Sequence, residues 1–186
     1  WRAIFSQVRA SDTDLEKIGE ASELLRDLSP LQVGTRGTWD GKGFVLLGRI
    51  KIGYPSGMWS EWYAMMDDGS EGWLAVAQGL YMMSFRVNID PGMYGTGFVV
   101  GKQYLYEGMT YVAEDNREIT YLASEGELPF IYKAGFTARS VDLRGPKGAF
   151  LNFLYGRDEV EAFLGRYAEY QDFNFQDLRS IDGWES

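Results

Sequence analysis

The chain is expected to be a mainly β protein: two packed small antiparallel β barrels or sandwiches with a short N-terminal helical or extended arm. Three observations carry that expectation. Short apolar runs recur at hairpin spacing from Leu31 onward, each closed by Gly-, Pro-, Asp- or Asn-containing turn chemistry. Aromatic residues make up 16% and glycines number 23, a pairing that suits strands and tight turns better than a helical bundle. Helical spacing is clearest in one segment, residues 12–28.

In that segment Leu15, Ile18, Ser22, Leu25 and Leu28 follow the helical period. Thr13 with Glu16 resembles a capping box, and Ser29-Pro30 ends the pattern. Residues 1–30 therefore read as the arm, 31–90 as a first β unit and 91–186 as a second, packed as one body.

In the first unit, Asp40-Gly41-Lys42-Gly43 reads as a hairpin turn ahead of a strand from Phe44 to Ile52. Tyr54-Pro55-Ser56-Gly57 is a second turn, followed by strands from Trp59 to Met66, Glu71 to Val76 and Leu80 to Val87. Asp90-Pro91-Gly92, with Gly95 and Gly97, marks the boundary as a flexible linker. The second unit reads as Tyr104 to Tyr106, Thr110 to Glu114, Ile119 to Ala123, Thr137 to Leu143, Ala149 to Tyr155 and Val160 to Tyr170. Asp115-Asn116 and the Arg144-to-Gly148 string supply turn chemistry.

Charge narrows the function classes. With 27 acidic against 18 basic residues the net charge is −9, which argues against nucleic acid and against anionic membrane surfaces. A cationic partner fits better. No run of 18 apolar residues exists, so no direct membrane insertion is expected. No signal peptide is readable, and a first residue of Trp1 suggests a piece of a longer chain. The absence of cysteine is compatible with a cytoplasmic location.

The chain also lacks histidine, which removes the usual proton shuttle and, with cysteine, the usual zinc ligands. No metal or cofactor is expected. Carboxylates, lysine and tyrosine remain, and a non-enzymatic module is favoured over an enzyme.

One stretch concentrates the binding potential. Trp59-Ser60-Glu61-Trp62-Tyr63 lies close in sequence to Trp73. Strand alternation puts Trp59, Glu61 and Tyr63 on one face, and Ser60, Trp62 and Ala64 on the other. Both faces are thus largely apolar and Glu61 stands among aromatics. A buried carboxylate needs a partner, so an ion pair from Arg49 (or Arg36) to Glu61 is the structural expectation. The functional alternative is an aromatic and carboxylate cage of Trp59, Glu61, Tyr63 and Trp73 for a cationic ligand.

Other motifs have simpler explanations. Asp67, Asp68 and Glu71 match no calcium loop, and Asp-Asp-Gly-Ser is what a hairpin turn requires. The Gly92-x-x-Gly95-x-Gly97 string lacks the strand-glycine-helix order of a nucleotide loop. Among 27 acidic residues, including Asp142 and Glu161, the sequence picks out no catalytic pair. The Phe173-to-Arg179 string and Trp184 are expected to dock on the core.

Several strings also carry a family likeness. They are Ser29-Pro30-Leu31-Gln32-Val33-Gly34, Gly48-Arg49, Trp59-Ser60-Glu61-Trp62-Tyr63, Asp68-Gly69 and Gly72-Trp73-Leu74, then Leu128-Pro129-Phe130, Val141-Asp142-Leu143-Arg144, Gly165-Arg166, Leu178-Arg179 and Gly183-Trp184. In this order they resemble the bacterial domain-of-unknown-function family 4178, from Asp14 onward. The resemblance implies no established activity. It implies, in some relatives, a preceding zinc ribbon; Ala3-Ile4-Phe5-Ser6 lies where its last cysteine pair would sit. It also implies an accessory role in an envelope-stress or membrane-associated system.

The leading expectation is therefore a non-enzymatic accessory or interaction module with a protein partner. The alternative is a module binding small, polyamine-like cations. A carboxylate-dependent hydrolase is the third class, and it needs a deep pocket holding two acids.

Overall fold

In the structure, a computed structural model, every long strand belongs to one closed barrel. Residues 23 and 25–181 are described. Strands β1 (Arg36–Trp39), β2 (Lys42–Tyr54), β3 (Gly57–Met66), β4 (Glu71–Ala77) and β5 (Leu80–Val87) come first. A short helix, α1 (Pro91–Tyr94), and a crossing segment lead to β6 (Gln103–Tyr106) and β7 (Met109–Gly126). The chain then forms β8 (Thr137–Arg144), β9 (Ala149–Tyr155) and β10 (Val160–Ala168).

The strands are hydrogen-bonded in the order β2-β3-β4-β5-β10-β9-β8-β7, and β7 returns to pair with β2. All pairings are antiparallel, so eight strands close on themselves. The short β1 and β6 extend the outer ends of β2 and β7 as hairpins. The expected two packed units give way to two arcs of a single barrel, β2–β5 and β7–β10. They meet edge to edge, at the β5–β10 and β2–β7 seams, rather than face to face. The physical reason is the free edge: a four-stranded arc leaves two rows of unpaired backbone groups, and mutual closure removes both.

Two glycines let the seams close. A Cβ on Gly165 in β10 would strike the Met83 carbonyl of β5 and the Phe150 ring, and one on Gly48 in β2 would strike the Glu127 carbonyl. The long strands bend at bulges, in β2 near Leu46–Gly48 and in β7 near Ala113–Asp115. This corrects the reading of Asp115-Asn116 as a turn. Residues 109–126 form one continuous strand, because β7 must serve β6, β8 and β2 in succession.

The Asp40-Gly41 turn is as expected, with left-handed φ of 49° and 74°. Asp68 accepts from the Ser70 amide at 2.9 Å and from Lys42 at 2.7 Å, so Asp67-to-Ser70 is a hairpin turn. The glycine-rich boundary is not a loose linker. Asp90 caps α1 through the Gly92 amide at 2.7 Å, and Met93, Tyr94 and Phe98 pack on the barrel.

Both sheet faces are covered, which explains why β3 is apolar on each side. Outside the first arc, Phe44, Trp62, Leu74 and Met83 pack under Leu31 and the 170–178 segment. Outside the second, Val141, Leu143, Leu151 and Phe153 pack under residues 89–106. Inside, Ile50, Ile52, Ile119 and Tyr121 meet Leu128, Tyr132 and Phe136 of the β7–β8 connection.

The expected docking of the C-terminal string is present: Phe173 is fully buried and stacks on Trp39 with ring centroids 5.2 Å apart. Most of the 12–28 helix, the Thr13/Glu16 pair, Ala3-to-Ser6 and Trp184 lie outside the described residues. Residues 25–28 form a turn and a bend.

Candidate functional site

An eight-stranded barrel has an interior just wide enough to be filled by side chains or to hold one small ligand. Here part of it is empty: a cavity of about 550 Å³ lies on the inner face of the strands. Alternation decides what reaches it. From β3 come Trp59 and Glu61, from β4 Trp73, from β7 Arg117 and Tyr121, and from β8 Ser140 and Asp142. Asn152 of β9 and Glu161 of β10 add to the polar lining. Its charged groups comprise six carboxylates (Glu61, Glu71, Glu114, Asp142, Glu159, Glu161) and three arginines (Arg86, Arg117, Arg144), so the space is biased toward cations.

Of these carboxylates Glu71, Glu114 and Glu159 are exposed, and of the other three Glu61 alone has no ion pair among the described residues. Its Oε1 accepts from Trp59 Nε1 at 3.0 Å. Among the described residues no cation lies within ion-pair distance of it. Burial pushes its carboxyl up to about 7, against the Trp59 hydrogen bond, and the Asp142 charge pushes the same way. Asp142 is likewise raised by burial, with the Asn152 hydrogen bond and the Arg117 charge opposing. Tyr121 is also raised, first by burial and then by the charges of Glu61 and Glu161.

The expected Arg49–Glu61 ion pair does not form. Across β2 and β3 the register sets Glu61 opposite Ile50 and Arg49 opposite Trp62, so the two side chains leave opposite faces of the sheet. Arg49 instead binds Asp27 at 2.6 Å and Glu125 at 2.8 Å, outside the barrel, and lies 4.8 Å over Trp62. Arg36 pairs with Asp177 at 2.8 Å.

Three of the four cage residues, Trp59, Glu61 and Trp73, line the cavity together. Tyr63 does not. It packs 5.5 Å from Trp73, its cross-strand partner, and donates to Glu71 at 2.7 Å. Phe130 stacks on Trp73 at 6.1 Å and on Tyr121 at 6.2 Å, bringing the β7–β8 connection onto the aromatic wall.

A polar cluster of the lining is not singled out by the sequence reading. Asn152 Nδ2 donates to Asp142 Oδ1 and Ser140 Oγ, each at 2.8 Å, and Arg117 Nη2 donates to Asp142 Oδ2 at 3.3 Å. A signal existed. Ser140 and Asp142 alternate with Val141 and Leu143, and Asn152 sits between Leu151 and Phe153. Polar residues at every second place of buried strands mark a wet interior. Among the described residues, no group of three or more acidic side chains is placed to hold a metal ion.

The model of a domain of unknown function, DUF4178, matches residues 32–170. The chain belongs to the DUF4178 family. No curated protein and no solved structure matches it. The matched stretch of the DUF4178 domain takes in all ten strands, and with them the cavity walls. Among the described residues, no helix is long and apolar enough to cross a membrane.

Proposed function

We propose that this DUF4178 domain is a non-enzymatic binding module whose barrel interior takes a small organic ammonium ion. One observation carries the reading: Glu61 is an enclosed carboxylate without a cationic partner among the described residues, set among Trp59, Trp73 and Tyr121. An uncompensated carboxylate is costly to bury, and a bound cation removes that cost. Aromatic faces add cation–π attraction, roughly 0.5–1 kcal/mol where exposed and about 2 kcal/mol when desolvated.

Thermal unfolding at pH 8 with tetramethylammonium, choline, putrescine and spermidine tests this. A ligand at 100 times its Kd stabilises by about 2.7 kcal/mol, which raises Tm by roughly 5–11 °C in a domain of this size. Glu61→Gln is expected to abolish the rise. A flat response to every ammonium ion would overturn the reading.

A second reading, contact with a protein partner in an envelope-associated system, has its own observation. Val99, Val100 and Leu105 are 64%, 55% and 71% exposed, in the segment that leads into the β6–β7 hairpin. Apolar groups grouped on a surface mark interaction sites. A photo-crosslinker at Leu105 is expected to capture one partner in cells. Capture no stronger than from the exposed Lys133 position would count against this reading.

A further inference from the structure

The cavity has a second pole, which a simple cation does not use. Arg117 is flattened against two rings, its guanidinium carbon 4.8 Å from the Tyr54 centroid and 5.6 Å from that of Trp59. Its shortest contacts to acids are made by Nη2, to Asp115 at 2.5 Å and to Asp142 at 3.3 Å. A guanidinium carries five N–H donors in a rigid fork. Those on Nε and Nη1 reach no acceptor among the described residues, and Nε is enclosed without one. Asp142 cannot readily turn to serve them, because Asn152 holds its other oxygen at 2.8 Å. Trp59 joins the two poles: Arg117 lies over its ring and its Nε1 binds Glu61.

We infer that the ligand is a monocation bearing a neutral oxygen acceptor, its ammonium at Glu61 and its hydroxyl, ether or carbonyl oxygen at Nη1 of Arg117. This rests on the cation reading above and narrows it. A polyamine fits worse, since it offers only donors and would bring a second ammonium toward the guanidinium. A zwitterion fits worse too. Asp115 and Asp142 already oppose the Arg117 charge, and Glu61 shares the space, so an added anion meets net repulsion. A neutral acceptor satisfies the free N–H groups without either conflict.

A matched ligand pair decides it: acetylcholine and pentyltrimethylammonium, close in length and charge, only one of which carries ester oxygens. Calorimetry at pH 8 is expected to show acetylcholine binding about tenfold or more tightly, the range of a hydrogen bond to a charged group. Arg117→Met is expected to bring the two affinities within about twofold of each other, and Arg117→Lys to restore part of the preference. Because the wild-type comparison stands alone, a variant that fails to fold leaves the test intact. Equal affinities on the wild type would overturn the inference, and so would preference for spermidine over acetylcholine. If tetramethylammonium binds but the pair shows no preference, the cation reading survives and this inference falls. If no ammonium ion binds, both fall.

Discussion

Glu61→Gln is expected to stabilise the fold at pH 8 while removing its ammonium binding. The sign follows from the direction of the shift. Burial holds the Glu61 carboxyl near 7 in the folded chain, above the ordinary glutamate value, so folding favours the protonated form. That contribution is full below the unfolded value, near 4.5, and is lost as pH rises through 7. Above that point the charged carboxylate weakens the fold by up to about 3 kcal/mol relative to acid conditions.

Glutamine is neutral throughout and keeps an acceptor for Trp59 Nε1. The variant and wild type should therefore have similar Tm near pH 4.5 and diverge by up to roughly 6–12 °C at pH 8. Ligand binding has the opposite slope. Wild-type affinity for a quaternary ammonium, whose own charge does not titrate, should rise about tenfold per pH unit up to 7 and then level. Asp142 of β8 and Tyr121 of β7 face the same space and are themselves raised, so both stay near their neutral forms longer than usual. A pH-independent Tm difference between the two proteins would show that Glu61 is not held neutral by burial. A carboxylate that lowers stability unless a cation occupies its cavity is the pattern of a binding site rather than of a core.

Phe173→Ala is expected to be the most destabilising single change on the outer face, by about 3–5 kcal/mol. Phe173 is fully buried at the centre of a ring cluster. It stacks on Trp39 at 5.2 Å and Phe175 at 5.1 Å, with Tyr81 at 5.9 Å and Phe44 edge-on at 6.4 Å. Truncation removes that packing and leaves a cavity under the 170–178 segment. Denaturant unfolding measures it, and Tm should drop by roughly 6–20 °C. The cluster lies on the opposite face of the sheet from the cavity, so ammonium affinity of the folded variant should stay within about twofold of wild type. A loss below about 1 kcal/mol would mean that the segment docks too weakly to hold the barrel.

Much of the strand pattern was legible because its signals are local. Asp40-Gly41 adopts left-handed backbone, and the strands from Phe44 and Trp59 run close to where alternation and turns place them. The misreadings share one cause. Asp115-Asn116 is turn chemistry by composition, yet pairing with Asp142 and Val141 of β8 keeps it extended, and only a bulge remains. Gly92, Gly95 and Gly97 suggest looseness, but Met93, Tyr94 and Phe98 anchor the segment between and beside them. In each case non-local pairing or packing outweighed a residue's intrinsic preference.

The site divides the same way. Trp59, Glu61 and Trp73 were readable as neighbours on inward faces of adjacent strands. The partner of Arg49 was not, because facing requires a register, and one residue of slip exchanges the two sides of a sheet. Alternation and turn residues by themselves determined a β protein with an aromatic stretch around one carboxylate, since both are properties of neighbours in the chain. Only the tertiary structure decided that two arcs close into one barrel, and that Arg117, Asp142 and Asn152 share a cavity with Glu61. Closure depends on which free edges meet, and edges 67–87 residues apart carry no local mark of their partners.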